Sequence, residues 1–194
     1  SPWTEFDKEK DQIKTIVGNA NNPNHIEVRN SIVPQSLQDC QDYDLVYLSS
    51  HGFNDGSVLI SLDALSLEQQ NIYLKEIIAG RVICRTAIDG ERTLILTDKF
   101  FDKYLPDLSN TIVWASACYL GTQDSKFMKS LFNKNVADFF ASDTACTSRD
   151  IIDNFKSFYI KLMNGYSTDR AFANGLGYFN GKIRENIWDF ITPK

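Results

Sequence analysis

Two hydrophobic segments of this chain each lead into a side chain that can take part in catalysis. Residues 44–50 run into His51 and Gly52, and residues 111–117 run into Cys118. A free thiol is mostly protonated at neutral pH, but a nearby imidazole can take its proton and later return it to a leaving group. A histidine and a cysteine held together would therefore support nucleophilic attack on a carbonyl carbon.

Both segments have the composition of buried strands, and a parallel sheet places its ligand site at the carboxyl ends of its strands. If the two strands are neighbours, His51 and Cys118 emerge at the same edge. Gly52 has no Cβ, so a substrate carbonyl can approach its backbone. The N–H groups of Gly52 and Cys118 are the candidate donors to an oxyanion.

A structural role is the usual explanation for either reactive residue taken alone. Cysteine is among the most buried residue types, and a cysteine that ends a core strand is normally inert packing. It is the pair, each member at the end of a buried strand, that favours catalysis. By the same reasoning we expect packing roles for Cys40, Cys84 and Cys146, and a position at a strand edge for His25.

The order of helices and strands predicts a single α/β domain with three layers and a mostly parallel central sheet. The predicted helices cover 2–17, 36–41, 67–78, 98–105 with Thr97 as N-cap, 125–132, 149–164 and 168–176. The predicted strands cover 25–29, 44–50, 111–117, 136–141 and 187–191. A hairpin of residues 81–85 and 92–96, turning at Asp89-Gly90, is expected to add to this sheet.

Length and composition limit the possible classes of function. The 194 residues, 43% of them hydrophobic, fit one core, so residues 1–194 are expected to form one domain. The net charge of −5 argues against nucleic acid as a partner. No apolar run approaches the roughly 20 residues of a membrane span, so we expect no span and a cytoplasmic location. Because the chain begins with Ser1, we expect it to be a piece of a longer protein.

The four cysteines and two histidines do not form a metal-binding pattern. There is no Cys-x-x-Cys pair, and the spacings match neither a disulfide framework nor a zinc site. We therefore expect no metal and no cofactor.

The two motifs together resemble those of the clan CD cysteine peptidases, which include caspases, legumains, gingipains, clostripain, separase and the CHAT domains. The resemblance lies in a hydrophobic block before His51-Gly52 and another before Ala117-Cys118. It implies a caspase-like fold and a peptidase activity with Cys118 as nucleophile and His51 as base.

Among these families the chain is most similar to CHAT domains. The similarity lies in the Ser116-Ala117-Cys118 ending, in residues 136–142, and in the aromatic helix of residues 149–164 with the segment that follows it. In all it covers roughly residues 25–180.

The resemblance also implies a pocket for P1, the substrate residue before the cleaved bond. In arginine- and lysine-directed members an acidic residue lines this pocket, on or after the strand that follows the nucleophile. Asp143 matches that position best, so we expect a basic P1 residue. Two alternatives stay open. Asp143 could cap the helix near Ser148 or lie solvated in a loop, and Arg149 with Asp150 could support an acidic preference.

Three functions are compatible with these residues. The leading hypothesis is an endopeptidase that acts on a protein or peptide substrate through a thioester acyl-enzyme. The second is a non-catalytic, caspase-like interaction module in a larger signalling assembly, with regulatory domains or partner proteins. The third is a non-peptidase thiol hydrolase or acyltransferase that uses the same pair. The intact pair favours an enzyme, because a non-catalytic module would be free to lose either residue.

Overall fold

The computed structural model describes residues 4–18, 26–29, 32–61, 65–86, 90, 92–122 and 124–172, which form an α/β fold. The strands are β1 Leu45–Ser49, β2 His51–Gly52, β3 Val58–Ser61, β4 Val82–Thr86, β5 Arg92–Leu96, β6 Ile112–Ser116 and β7 Asp138–Ala141. The helices are α1 Thr4–Gly18, α2 Pro34–Gln38, α3 Leu67–Ile78, α4 Asp98–Tyr104, α5 Lys126–Asn133, α6 Ser148–Met163 and α7 Thr168–Phe172, with a 3-10 turn over Asp39–Asp42.

Three strands form a parallel sheet in the order β1-β6-β7. Its register places Ser49 opposite Ser116, and Ala115 opposite Ala141. The carboxyl ends of all three strands therefore lie at one edge. The segments that begin at residues 50, 117 and 142 all leave the sheet there.

Helices cover both faces of the parallel sheet, because alternate residues of its strands point to opposite sides. On one face Val113 and Ala115 join a core built with α2, α4 and α5. On the other face Trp114 joins a mostly aromatic core built with α6 and α7. Apolar residues of α1, namely Ile13, Ile16 and Val17, pack against this second core. The predicted α/β class is confirmed.

The other four strands form an antiparallel sheet in the order β2-β3-β5-β4. The predicted hairpin is present as β4 and β5, but it joins β2 and β3, whereas the sequence predicted one mostly parallel sheet. Strand β3 was not predicted. Its four residues lack polar alternation, and a short apolar run of this kind does not reveal its structure through periodicity.

One local prediction fails in the described residues, and a second is confirmed only in part. Residues 26–29 form no strand, and Arg29 in this segment forms ion pairs with Glu27 and with Asp39 of the 3-10 turn. Thr97 occupies the N-cap position of α4 as predicted, but its hydroxyl donates to the carbonyl of Arg81 and makes no capping hydrogen bond. His25, residues 173–176 of the predicted last helix and the predicted strand 187–191 lie outside the described residues.

No helix in the described part of the chain combines the length and the apolar character that crossing a bilayer requires.

Candidate active site

The ends of β1 and β6 bring the two candidate catalytic residues to the same edge of the parallel sheet. Ser49 lies opposite Ser116, and the Ser50 N–H donates to the Ser116 carbonyl at 3.1 Å, which extends the ladder by one residue. His51 comes next on one strand, and Cys118 follows two residues after Ser116 on the other. The sequence prediction that these residues emerge on one edge agrees with this register.

Gly52 lies directly against the backbone of Cys118. A Cβ placed on Gly52 would be 2.2 Å from the Cys118 carbonyl oxygen and 3.1 Å from the Leu120 side chain. Real Cβ atoms do not come that close to a backbone oxygen, so only glycine fits here. From the sequence, we expected a glycine here to let a substrate carbonyl approach. The structure adds a second reason, because a side chain at this position would collide with the backbone of Cys118.

His51 belongs to β2 and is exposed at the site. It pairs with Leu59 of β3, and its ring meets the ring of Phe6 edge to face, with centroids 5.0 Å apart and planes at 80°. Phe6 belongs to α1, so this helix reaches the candidate site. An edge-to-face aromatic contact favours one orientation of the imidazole.

A sharp turn follows Cys118 and is fixed to the neighbouring loop. Tyr119 has a φ of 62°, a left-handed conformation that costs a non-glycine residue roughly 1–3 kcal/mol. The Tyr119 N–H donates to the Thr144 carbonyl at 3.2 Å, and the Gly121 N–H donates to the Ser142 carbonyl at 2.9 Å. The turn after β6 is therefore tied to the loop after β7.

The Cys118 sulfur points at a second thiol. Its Sγ lies 3.8 Å from the Sγ of Cys146 and 3.8 Å from the Cys146 carbonyl oxygen. Both cysteines are half-buried, and neither forms a disulfide. Burial, together with the nearby Cys118, raises the pKa of Cys146 to about 12. Sequence reasoning assigned Cys146 to packing, because nothing in its neighbouring residues indicates contact with Cys118.

Glu9 is a second residue of this region that sequence reasoning missed. It is 1% exposed, and its Oε1 accepts a 2.6 Å hydrogen bond from the Tyr47 hydroxyl. Its Oε2 is buried with no hydrogen-bond partner in the described part of the chain. The carboxylate is close enough to Cys146 to contribute to the raised pKa of that thiol. The sequence did hold a signal, because helical spacing places Glu9 on the apolar face with Phe6 and Ile13.

Asp143 lies half-buried in the loop after β7, between the two carbonyls that hold the turn after Cys118. The alternative that it caps the following helix is wrong. Thr147 caps α6, since its hydroxyl accepts from the Asp150 N–H at 3.3 Å and donates to the Asp150 carboxylate at 2.7 Å. Asp150 is therefore used in a cap, and Arg149 is exposed.

The described residues contain no group of three or more histidine, cysteine, aspartate or glutamate side chains that could hold a metal ion.

Comparison of the chain with protein-family models, with curated proteins and with solved structures gives no match. The resemblance to clan CD peptidases therefore stays a prediction from the motifs.

Proposed function

We propose that this protein is a cysteine endopeptidase that hydrolyses peptide bonds through a thioester acyl-enzyme. Cys118 is the nucleophile, and His51 is the general base and then the general acid. The observation that carries this proposal is the convergence of the ends of β1 and β6, with the Cys118 carbonyl against Gly52. A half-buried thiol and an exposed imidazole at one sheet edge suit a substrate that arrives from solvent.

The proposed reaction proceeds in two halves. His51 takes the proton of the Cys118 thiol as the sulfur attacks the carbonyl carbon of the scissile bond. The tetrahedral intermediate then collapses, the C–N bond breaks, and His51 protonates the leaving amine. Water, deprotonated by His51, next attacks the thioester. The carboxylic acid leaves, and the thiol is restored.

The N–H groups of Gly52 and Cys118 are the proposed donors to the oxyanion. The Phe53 N–H donates to the Ser57 carbonyl at 3.1 Å, which makes these two residues a hydrogen-bonded pair of the antiparallel ladder. Such pairs alternate, so Gly52 opposite Val58 occupies a position without ladder hydrogen bonds. Its N–H is then directed away from β3, and in the proposed reaction it donates to a substrate oxygen. Loss of one such donor typically lowers kcat by about 100- to 1000-fold.

Two carboxylates support the proposed preference for a basic P1 residue. Asp143 lies on the loop that holds the turn after Cys118. Glu9 adds a buried carboxylate whose second oxygen has no partner within the described residues. A buried oxygen of this kind is costly unless a donor reaches it. A guanidinium or ammonium group of the substrate would supply that partner.

The decisive experiment is incubation of the chain with a peptide library, with cut sites read by mass spectrometry. We expect cleavage after Arg or Lys by the unmodified chain and none by Cys118→Ala or His51→Ala. Cys84→Ala is the matched control, since Cys84 is exposed on β4 and outside the site. Cleavage that persists in Cys118→Ala would refute the proposal, and so would a complete absence of cleavage by the unmodified chain. The latter would favour the interaction module.

The P1 preference is tested separately with Asp143→Asn and Glu9→Gln. Each variant is expected to lower kcat/KM for substrates with Arg or Lys at P1 by about 10- to 100-fold, the value of a lost charge-assisted hydrogen bond. Substrates with a neutral P1 residue should be cut as before. Asp153→Asn, on the exposed side of α6, is the control. Unchanged cleavage of basic substrates in either variant removes that residue from the pocket.

A further inference from the structure

The contact between Cys118 and Cys146 has no role in the proposed hydrolysis. The two Sγ atoms are 3.8 Å apart, whereas a disulfide bond is about 2.05 Å long. The sulfur atoms would have to approach each other by about 1.75 Å to bond. The two residues are distant in sequence but lie at the same sheet edge, because β6 and β7 are parallel neighbours.

The backbone around the two thiols is held in place. The turn after Cys118 donates two hydrogen bonds to the loop that carries Cys146, from Tyr119 to the Thr144 carbonyl and from Gly121 to the Ser142 carbonyl. The Ser142 hydroxyl donates to the Thr144 carbonyl at 2.9 Å, which closes the first part of that loop. The two sulfur atoms therefore stay close together in the reduced protein.

The other two cysteines are placed quite differently. Cys40 is buried in the core, its S–H donates to the Ser36 carbonyl, and burial raises its pKa to about 11. Cys84 is exposed on β4. Of the four cysteines, Cys118 and Cys146 alone combine partial exposure with a neighbouring thiol.

We propose that Cys118 and Cys146 are a redox modification site, at which a hydroperoxide forms a reversible intramolecular disulfide. In the first step the Cys118 sulfur attacks one oxygen of hydrogen peroxide. The O–O bond breaks, Cys118 becomes a sulfenic acid, and water leaves. In the second step Cys146 attacks the sulfenic sulfur, the S–S bond forms, and the hydroxyl leaves as water with the thiol proton. One peroxide thus oxidises two thiols and yields two waters.

The order of the two steps follows from the surroundings of each thiol. Burial holds the pKa of Cys146 at about 12, so at neutral pH this residue stays a thiol and reacts slowly with peroxide. Cys118 lies at the edge that also carries His51, and we assign the first attack to it. Cys146 is then the resolving cysteine. The effect on catalysis rests on the proposed function, because the disulfide would occupy the sulfur that attacks the substrate.

The test is to titrate the reduced full chain with hydrogen peroxide, block the remaining thiols with iodoacetamide, and map the peptides by mass spectrometry. We expect a linked pair of peptides that contain Cys118 and Cys146, which dithiothreitol separates. Cys84 should be alkylated in the folded chain, and the buried Cys40 should be alkylated as a free thiol once the chain is unfolded in denaturant. If increasing peroxide oxidised Cys118 to the sulfinic acid while Cys146 remained a free thiol, the proposal would be overturned.

Two serine variants sharpen this test. In Cys146→Ser, peroxide should convert Cys118 to acids that dithiothreitol does not reduce, because the resolving thiol is gone. Cys84→Ser should behave like the unmodified chain. Circular dichroism of both variants checks that they are folded. Equal recovery of the Cys118 thiol in Cys146→Ser and in the unmodified chain would contradict the assignment of Cys146.

Peptide cleavage by the same samples separates this inference from the proposed function. If both hold, cleavage is lost with peroxide and returns with dithiothreitol. A mapped disulfide in a chain that cuts no peptide would support the redox site and refute the peptidase. Cleavage by a chain that never forms the disulfide would support the peptidase and refute the redox site.

Discussion

At the scale of single residues, the candidate site depends on Gly52, which has no side chain. Gly52 allows the backbone of Cys118 to lie against β2, where any Cβ would meet the Cys118 carbonyl oxygen at 2.2 Å. His51 precedes Gly52, and the carbonyl that contacts Gly52 belongs to Cys118. The close approach of the two residues of the proposed dyad therefore depends on the glycine.

We expect Gly52→Ala to force the strand ends apart and so to separate His51 from Cys118. Overpacking of this kind typically costs about 1–3 kcal/mol of unfolding free energy. Thermal denaturation measures the loss of stability, and peptide cleavage should fall with it. Gly18→Ala is the control, because a Cβ there would meet only the Ile26 side chain at 4.0 Å. Equal melting temperatures for the two variants would contradict this explanation of Gly52.

At the scale of elements, the loop from Ser142 to Thr147 links β7 to α6 and carries both Asp143 and Cys146. One end of it is held by the turn after Cys118. The other end is held by the cap that Thr147 forms on α6, with hydrogen bonds in both directions between Thr147 and Asp150. The position of this loop therefore depends on the start of a helix.

We expect Thr147→Ala to lower the unfolding free energy by about 1 kcal/mol, the usual value of an N-cap. Thr147→Ser keeps the hydroxyl and should retain most of the stability. Denaturant unfolding of the two variants and the unmodified chain measures the difference. If Thr147→Ser and Thr147→Ala lowered the unfolding free energy equally, the capping hydrogen bond would not be the cause of the loss.

The elements also show what could be predicted from the sequence. Helix α3 was predicted with its observed bounds, and the structure shows a capping box of Ser66 and Gln69 at its start. The strands before His51 and Cys118 were predicted because long apolar runs indicate burial on both faces. These signals lie within each segment.

The features that were missed depend on contacts between distant segments. β3 exists because it pairs with β2 and β5, and nothing within its four residues requires a strand. The roles of Glu9 and Cys146 follow from the packing of α1 and from the loop after β7. For Glu9 a local signal existed, since a carboxylate on an apolar helix face must find a partner when it is buried.

At the scale of the whole molecule, buried charge joins elements far from the site. Glu76 of α3 is 3% exposed, and its carboxylate accepts hydrogen bonds from Arg81, Lys103 and Tyr104. Burial opposes its ionisation, but these partners outweigh burial and hold the pKa of Glu76 at about 2. The carboxylate thus ties α3 to the start of β4 and to α4.

This cluster predicts loss of stability in acid. The folded pKa lies below the value of 4.5 for an unperturbed glutamate, so the stabilisation is complete above pH 4.5 and is lost as the pH falls towards 2. Its size is about 3 kcal/mol. Glu76→Gln should lower stability at pH 6 and flatten the decline below pH 4.5, as measured by denaturant unfolding. Glu68→Gln, an exposed position on the same helix, should leave the profile unchanged. If the unfolding free energy of Glu76→Gln fell in acid as steeply as that of the unmodified chain, groups other than Glu76 would be responsible for the fall.

The central claim is that one thiol and one imidazole act together at the edge of the parallel sheet. Its most direct test is the site-resolved rate of alkylation of the reduced chain by limiting iodoacetamide, with the exposed Cys84 as internal reference. We predict that Cys118, although only half-exposed, reacts fastest, and that His51→Ala abolishes this advantage without changing the rate at Cys84. The account would be contradicted if Cys84 reacted fastest, as its exposure alone predicts, and if His51→Ala did not change the rate at Cys118.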